Sequence, residues 1–379
     1  MNLLYLSEDF VTTKVHHNLI TNLLDSSSVS NISVFCVIRN DGTIRIDDQY
    51  MDHNYELVLY NYEGNLVRYK YDFFYKIRCK FKQIEYSFNL TDFDLVHAST
   101  LFSEGAVAYK IFKRYAIPYT VCVRGTDLSL YLRYAPHLWI LAKKILKNAK
   151  FVFFISPHLK QKLYNHYFLR RHVLCIESKS VIIPNGVDNI WMNNLRSKSK
   201  TSSNHNLLYI GRFDTNKNVV RLQKAVIKAS KNCTDIHLIL IGGNGNQSNL
   251  VLKYCAKYPD LFDYKGRIYE KTKLIEIMRN CDIFIMVSHS ETFGLVYLEA
   301  LSQGLPVIFT EGQGIDGIFV ENVGESVKSK SVNSISNGIL NIFSNYAGYV
   351  SPKNAIEQFS WKRISQAYVH YFFLAINKN

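Results

Sequence analysis

The chain has 379 residues, 47% of them hydrophobic and 20% charged, with a formal net charge of +14. That length suits about two domains of 100–200 residues each, and the balance excludes a disordered chain. The positive excess is uneven: residues 101–200 hold 17 Lys and Arg against 4 Asp and Glu. It points to an anionic partner (nucleic acid, an anionic membrane surface or a phosphorylated substrate), or else to a basic source proteome.

Seven cysteines, Cys36, Cys79, Cys122, Cys175, Cys233, Cys255 and Cys281, are scattered and form no CxxC pair. Reduced thiols in a cytosolic protein are the expectation, with neither a disulfide framework nor a zinc site. The N-terminus reaches Glu8-Asp9 with no basic region before it, so no signal peptide is expected. No apolar run approaches the roughly 20 residues of a membrane-spanning helix, so any membrane contact is expected to be peripheral.

In chain order, Asn2 to Leu6 reads as a strand, followed by the loop Ser7 to Lys14. A helix then carries Val15, Leu19, Ile20, Leu23 and Leu24, and Ser30 to Ile38 is a second strand. Residues 41–90 are polar and tyrosine-rich, with strands expected at Leu57 to Tyr60 and Leu66 to Tyr69. Leu95-Val96-His97 ends a short strand, Ser103 to Tyr115 is helical, and Tyr119 to Val123 is a strand whose exit loop is Arg124-Gly125-Thr126-Asp127. Phe151 to Ile155 and Ser180 to Ile183 are further strands. The turn Pro184-Asn185-Gly186-Val187-Asp188 and the Ser/Lys/Asn-rich stretch Asn193 to Asn206 read as a linker.

A second set of alternating elements follows. Leu207 to Ile210, His237 to Ile241 and Phe262 to Tyr264 are strands, with helices through Val220 to Val226 and around Leu274 to Met278. Asp282 to Val287 is an apolar run of strand length. Leu295, Leu298 and Leu301 recur at helical spacing, Gly304 and Pro306 stop that helix, and Val307 to Phe309 resumes a buried strand. Ile356 to Ile376 is one aromatic helix. Strands alternating with helices make an α/β protein of two Rossmann-like doubly wound domains with a central cleft. The expected limits are 1–185, 186–355, and a terminal helix 356–379 packing back on the first domain.

The densest chemistry is Ser288 to Ala300. Glu291 falls in the loop after a strand and Glu299 inside the next helix, so the two reach opposite ends of one ligand. The helix start at Gly294 and Leu295 offers free N–H groups to an anion. Gly211 to Asn218 ends an earlier strand and places Arg212 and Lys217 five positions apart. These are a fork and a mobile point charge for phosphate oxygens, or, in a lone Gly-Arg, only a solvated strand exit. Gly242-Gly243-Asn244-Gly245 permits close backbone approach without completing a dinucleotide fingerprint. Asp127 is either a partner for a hydroxyl or an acceptor, or the N-cap of the next helix. His97 is either packing or chemistry, and His16 and His17 open the first helix. No set of residues has metal-ligand spacing. Leu138 to Lys150 is amphipathic, with Lys143, Lys144 and Lys147 opposite an apolar face. It is either an ordinary domain helix or one lying on an anionic membrane. No nucleic-acid-binding motif supports the basic charge.

Together these residues resemble the family-4 group of GT-B glycosyltransferases. The resemblance rests on Pro184 to Asp188, on Gly211, Arg212 and Lys217, and on Glu291, Phe293, Gly294 and Glu299 with the Ala-Leu-Ser-Gln-Gly-Leu-Pro-Val continuation. Asp94 to Ala98, the Arg124 loop and Phe359-Ser360-Trp361 add to it. The resemblance implies a UDP- or GDP-sugar donor and no cofactor or bound metal. Arg212 and Lys217 would neutralise the leaving diphosphate beside Gly294, Leu295 and Val296. Glu299 would bind ribose and Glu291 the donor sugar, with Gly243 and Phe293 lining the donor site.

It also implies retention of configuration, with Glu291, Arg212 and Lys217 the catalytic set in binding and electrostatic roles. Arg124, Asp127, His97 and His16 fall on the acceptor side. The chain departs from the family where many members have a glycine pair after the first strand, here Val11 to Val15, and where many have His-Gly in place of Arg124-Gly125. The implied function is transfer to a lipid-linked or glycan acceptor in cell-surface polysaccharide or glycolipid synthesis, at the inner face of the cell membrane. The alternatives are a non-catalytic GT-B partner subunit or another GT-B enzyme such as a nucleotide-sugar epimerase.

Overall fold

The computed structural model describes residues 1–26, 28–38, 54–196, 205–349 and 353–377. Part of the linker stretch (197–204) and the start of the tyrosine-rich stretch (41–53) lie outside them. The chain divides into two compact units, Met1–Gly186 with Trp361–Asn379, and Val187–Ser360.

The first unit holds seven strands: β1 (Asn2–Leu6), β2 (Asn31–Ile38), β3 (Glu56–Asn61), β4 (Leu95–Ala98), β5 (Tyr119–Val123), β6 (Phe151–Phe154) and β7 (Ser180–Ile182). They form one parallel sheet in the order β3-β2-β1-β4-β5-β6-β7. The second unit holds β8 (His205–Arg212), β9 (Ile236–Gly243), β10 (Phe262–Tyr264), β11 (Ile283–Ile285), β12 (Val307–Thr310) and β13 (Gly324–Val327). These are parallel in the order β10-β9-β8-β11-β12-β13. The central strands are continuous apolar runs rather than alternating ones, because helices cover both faces of a parallel sheet. Leu3, Leu4 and Tyr5 are fully buried, as are Ile283, Phe284 and Ile285.

In each sheet the strand order reverses once, between β1 and β4 and between β8 and β11. Loops leaving the carboxyl ends of such a strand pair diverge to opposite faces and leave a crevice, the general ligand position in open α/β sheets. Where β8 meets β9, Arg212 lies opposite Gly243 and Gly211 opposite Gly242. A Cβ at Gly242, whose φ is +135°, would stand 1.8 Å from the Gly211 carbonyl oxygen, so the close approach of these strand ends requires glycine there.

Two sequence expectations change, and one short strand was not expected. Leu66 to Tyr69 is not a strand but part of the helix Leu66–Tyr71, because the Asn65 side chain accepts from Arg68 N at 2.9 Å and caps it. The short edge strand β13 escaped notice because Gly-Glu-Ser-Val carries a single buried side chain. The tail is two helices, Lys353–Glu357 and Trp361–Asn377, broken where Val187 N donates to Phe359 O at 2.8 Å.

The helix Trp361–Asn377 belongs to the first unit, where its Tyr368 and Phe372 rings pack on His97 (5.6 and 5.3 Å between centroids) and Phe153 (5.0 and 6.2 Å). Phe372 is fully buried. Phe372→Ala is expected to cost about 3–5 kcal/mol, read as a lowered denaturant midpoint for the first unit. An unchanged midpoint would show that the last helix adds nothing to that core.

Candidate functional site

The second unit's site is built where β8 and β11 lie side by side. Asn216 and Asn218, in the β8 exit loop, stitch that loop to the exit of β11. Asn216 Nδ2 donates to Ser290 O at 2.9 Å, its Oδ1 accepts from Ser290 N at 3.0 Å, and its carbonyl accepts from His289 N at 2.7 Å. Asn218 adopts φ +61° and donates to Val287 O (3.0 Å) and Ser329 O (2.7 Å). Asparagine tolerates that left-handed backbone while its amide satisfies buried carbonyls. Arg221 braces the same corner, donating to Asn218 Oδ1 at 2.8 Å and lying 3.2 Å from His289 Nε2.

Between the two asparagines, Lys217 Nζ reaches Glu291 Oε2 at 2.7 Å. Both side chains are largely shielded from solvent, which strengthens their attraction. Ser288 Oγ lies 3.4 Å from the same carboxylate oxygen, Thr292 N donates to its other oxygen at 3.2 Å, and Gln313 Oε1 accepts from Glu291 N at 3.2 Å. Arg212 is 70% exposed and pairs with Asp214 at 3.0 Å, so its guanidinium stands in solvent.

Gly294, with φ +79°, starts the helix Leu295–Ser302 and brings no side-chain cap. The first-turn N–H groups of Leu295 and Val296 are therefore open at the positive end of the helix dipole. A Cβ on Gly294 would meet the Tyr297 ring at 2.7 Å and Glu291 Cγ at 3.3 Å, and one on Gly314 would meet Glu291 Cγ at 3.2 Å. Two glycines thus make room for the Glu291 side chain. Phe293 is 2% exposed and packs on Phe359, so it offers backbone rather than its ring.

Glu299 points from the middle of this helix, and among the described residues its carboxylate has no hydrogen-bond partner. Burial, with some help from Asp188 and against Lys271, pushes its pKa up to about 7. Asp188 and Lys271 are themselves ion-paired.

In the first unit the predicted acceptor-side residues separate. Asp127 is 1% exposed, and its carboxylate accepts from the backbone N–H groups of Leu101 (3.0 Å), Phe102 (3.2 Å) and Arg124 (2.8 Å). It caps the start of the preceding helix, Ser103–Tyr115, rather than the following one. Burial pushes it up to about 7 despite those three bonds. His97 is fully buried, shares a 2.8 Å hydrogen bond with Thr120 and is held near pKa 3 by burial and by Arg124. His16 is buried against the Tyr5 hydroxyl at 2.7 Å and is likewise neutral. These three side chains are corrected from acceptor contacts to interior ones, because each is enclosed and bonded within the unit. Arg124 is half-buried. It donates to Ser99 O (3.3 Å) and Asn185 Oδ1 (3.0 Å), with donors left over and no carboxylate at ion-pair distance among the described residues.

At the β1/β4 reversal, Glu8 bridges Lys76 (2.8 Å) and Lys80, and Lys80 reaches Glu104 at 3.5 Å. Burial alone would raise Glu8, but the two ammonium groups outweigh it and hold the carboxyl near 2.

The pattern of "Glycosyl transferases group 1" matches residues 193–359 and that of "Glycosyltransferase Family 4" matches residues 32–189. The chain belongs to the family-4 glycosyltransferases, of GT-B fold. It is similar to the putative teichuronic acid biosynthesis glycosyltransferase TuaC of Bacillus subtilis, 22% identical over 254 residues, or 65% of this chain and 60% of that one. The aligned stretches span about half to two thirds of the length of the curated relatives. Among solved structures, the lipopolysaccharide outer core galactosyltransferase WaaB superposes with a TM-score of 0.76 at 16% identity, covering 99% of both chains. Anabaena Alr3699/HepE in complex with UDP superposes with 0.70 at 15% identity, covering 98% of this chain and 99% of that one.

In the second unit, sequence reasoning named Lys217, Glu291 and Glu299 but not the framework around them: Asn216, Asn218, Arg221, His289 and Gln313. The signal present was Asn-Lys-Asn after a strand, a pattern suited to left-handed turns, and the glycines of Glu311 to Gly317.

The raised carboxyl of Glu299 makes a stability prediction. Between the ordinary carboxylate range and about 7, the folded state binds more protons than the unfolded one, so stability falls as pH rises through that window. Glu299→Gln should flatten this fall in denaturant titrations; an unchanged slope would place the titrating group elsewhere.

Proposed function

We propose that this protein is a retaining, metal-independent glycosyltransferase. It moves a hexose-type residue from a UDP- or GDP-sugar to a lipid-linked or glycan acceptor in cell-surface polysaccharide or glycolipid synthesis. Its place is the cytoplasm, at the inner face of the membrane. The observation that carries the reading is the junction of β8 and β11. There a cation-carboxylate pair (Lys217 with Glu291), an exposed guanidinium (Arg212), an uncapped helix start and an unpartnered carboxylate (Glu299) stand on adjacent strand exits.

Each part has a task in such a transfer. The bond from the sugar's anomeric carbon to the diphosphate breaks, and its electron pair leaves with the nucleoside diphosphate. Arg212, Lys217 and the N–H groups of Leu295 and Val296 stabilise that growing negative charge, the work a divalent cation would otherwise do. The acceptor hydroxyl oxygen forms the new bond on the same face, and its proton passes to the departing phosphate. Glu291, oriented by Lys217, Ser288 and Thr292, takes the donor sugar's hydroxyls. Glu299, with both carboxylate oxygens open, accepts from the ribose hydroxyls. Arg124 is the first unit's acceptor-side residue, the one member of the predicted set that keeps spare donors. Relatives named for teichuronic acid and glucosyldiacylglycerol products, and the UDP complex of the Anabaena neighbour, support the donor class and the acceptor class.

Calorimetry with UDP and GDP tests the donor site. Arg212→Ala is expected to weaken the preferred nucleotide roughly 10- to 100-fold, the value of a charge-assisted contact. Because the ribose contact needs the ionised carboxylate, affinity should rise as pH increases through about 7, and Glu299→Gln should remove that component. A hydrolysis screen across UDP-, GDP- and ADP-sugars completes the test. Binding and hydrolysis of none would sink the transferase reading in favour of a non-catalytic partner.

A further inference from the structure

In the first unit, the segments on either side of β6 between Asp127 and Glu177 fold into helices and helical turns whose inward faces are already filled. Leu128, Leu132, Leu138, Ile145, Leu146 and Ile176 are buried there. A second apolar set faces outward from the same elements. Leu130, Tyr134, Ile140, Tyr167 and Leu174 are between 53% and 86% exposed, so they are surplus to the core. Single exposed apolar residues are commonplace, but a group on contiguous elements is not.

Contiguity comes from Trp139. Its indole N–H donates to Leu132 O at 3.0 Å, and its ring packs on His166, Tyr167 and Phe168 at 5.0, 6.3 and 5.8 Å. The helix Trp139–Asn148 is also fixed to the strand beyond it, since Lys179 Nζ donates to Lys147 O and Ala149 O at 2.7 Å. One side chain thus gathers the turn bearing Leu130 and Tyr134, the helix bearing Ile140 and the segment bearing Tyr167.

The charge on this surface is predominantly positive. Arg133, Lys144, Lys147, Arg170 and Arg171 are exposed, whereas the segment's two acidic residues are Asp127, buried in its backbone cap, and Glu177, exposed one turn from Leu174 in the helix Val173–Glu177. Cations around protruding aliphatic and tyrosine side chains match the two layers of a lipid interface, anionic headgroups above and acyl chains beneath. A nucleic acid would use the cations but give the Ile140 and Leu174 side chains nothing to exchange for water.

We propose that this face is a membrane-docking surface. It seats on an anionic bilayer by shallow insertion of Leu130, Tyr134, Ile140, Tyr167 and Leu174, with the surrounding Arg and Lys side chains on the phosphates. The inference deepens the proposed function by giving a lipid-linked acceptor a place to be met, and it extends the contact beyond Lys143, Lys144 and Lys147. No helix among the described residues is long and apolar enough to cross a membrane, so the contact is interfacial.

Sedimentation of the full chain with vesicles tests it. The protein is expected to pellet with phosphatidylglycerol/phosphatidylcholine vesicles, not with phosphatidylcholine alone, and to be released by salt. The variant K144Q/K147Q/R170Q/R171Q should lower partitioning roughly hundredfold and flatten the salt dependence. I140S/L174S should keep the salt dependence but bind about tenfold more weakly. Both variants should hydrolyse a soluble nucleotide sugar at the wild-type rate, which separates docking from fold and catalysis. Failure of the wild type to pellet, charge-variant binding equal to wild type, or binding to an oligonucleotide but not to vesicles would overturn the surface. A wild type that binds vesicles but hydrolyses no donor would overturn the transferase reading and leave the surface standing.

Discussion

The second unit's chemistry depends on one join, the asparagine stitch between the exits of β8 and β11. These strands neighbour each other in space but are separated in sequence by two further strands, so nothing local holds their loops in register. Asn216 and Asn218 do so with amide bonds to backbone atoms on the other loop, and the residue between them is Lys217. Its 2.7 Å meeting with Glu291 follows from that backbone placement. Held this way, the ammonium is fixed in place before any ligand binds, so orienting it costs little further reorganisation. The glycines at 294 and 314 complete the arrangement by leaving space where a Cβ would strike Glu291.

How much of this the sequence disclosed follows from range. Strands that are continuous apolar runs were legible because a parallel sheet buried on both faces demands them: β1 and β5 came out with the expected limits. β13 was not, since an edge strand with one buried side chain obeys no period. Leu66 to Tyr71 is decided by a cap, a single Asn65 side chain that outweighs four strand-like neighbours. In the site, the charged residues Arg212, Lys217 and Glu291 were legible because they lie at or after strand ends. The residues that aim them, Asn218, Arg221, His289 and Gln313, act through partners about 22 to 111 positions away, and no local pattern announces such bonds.

The Arg124 position shows how one substitution sets its surroundings. A permanent cation placed beside two buried histidines makes protonation of either still less favourable than burial alone does, and both His16 and His97 are held neutral. Proton transfer by these imidazoles is therefore a poor expectation at neutral pH. What the position offers instead is a fork of donors pinned at Ser99 and Asn185, with the remaining N–H groups free for an oxygen ligand. A chain that carries Arg here exchanges a titratable contact for a fixed positive one.

Asp127 and Glu299 make the last distinction. Burial pushes both carboxyls up to about 7, so the direction of the shift does not separate them. Their bonds do. Asp127 has both oxygens engaged by three backbone N–H groups of its own unit, a satisfied interior group that ties the β4 exit to the β5 exit. Glu299 carries a comparable desolvation cost and, among the described residues, has no donor to offset it. A half-buried acceptor without a protein donor keeps its lone pairs for water or for a hydroxyl brought from outside the fold. The two raised carboxyls thus differ in their partners and not in the direction of their shift.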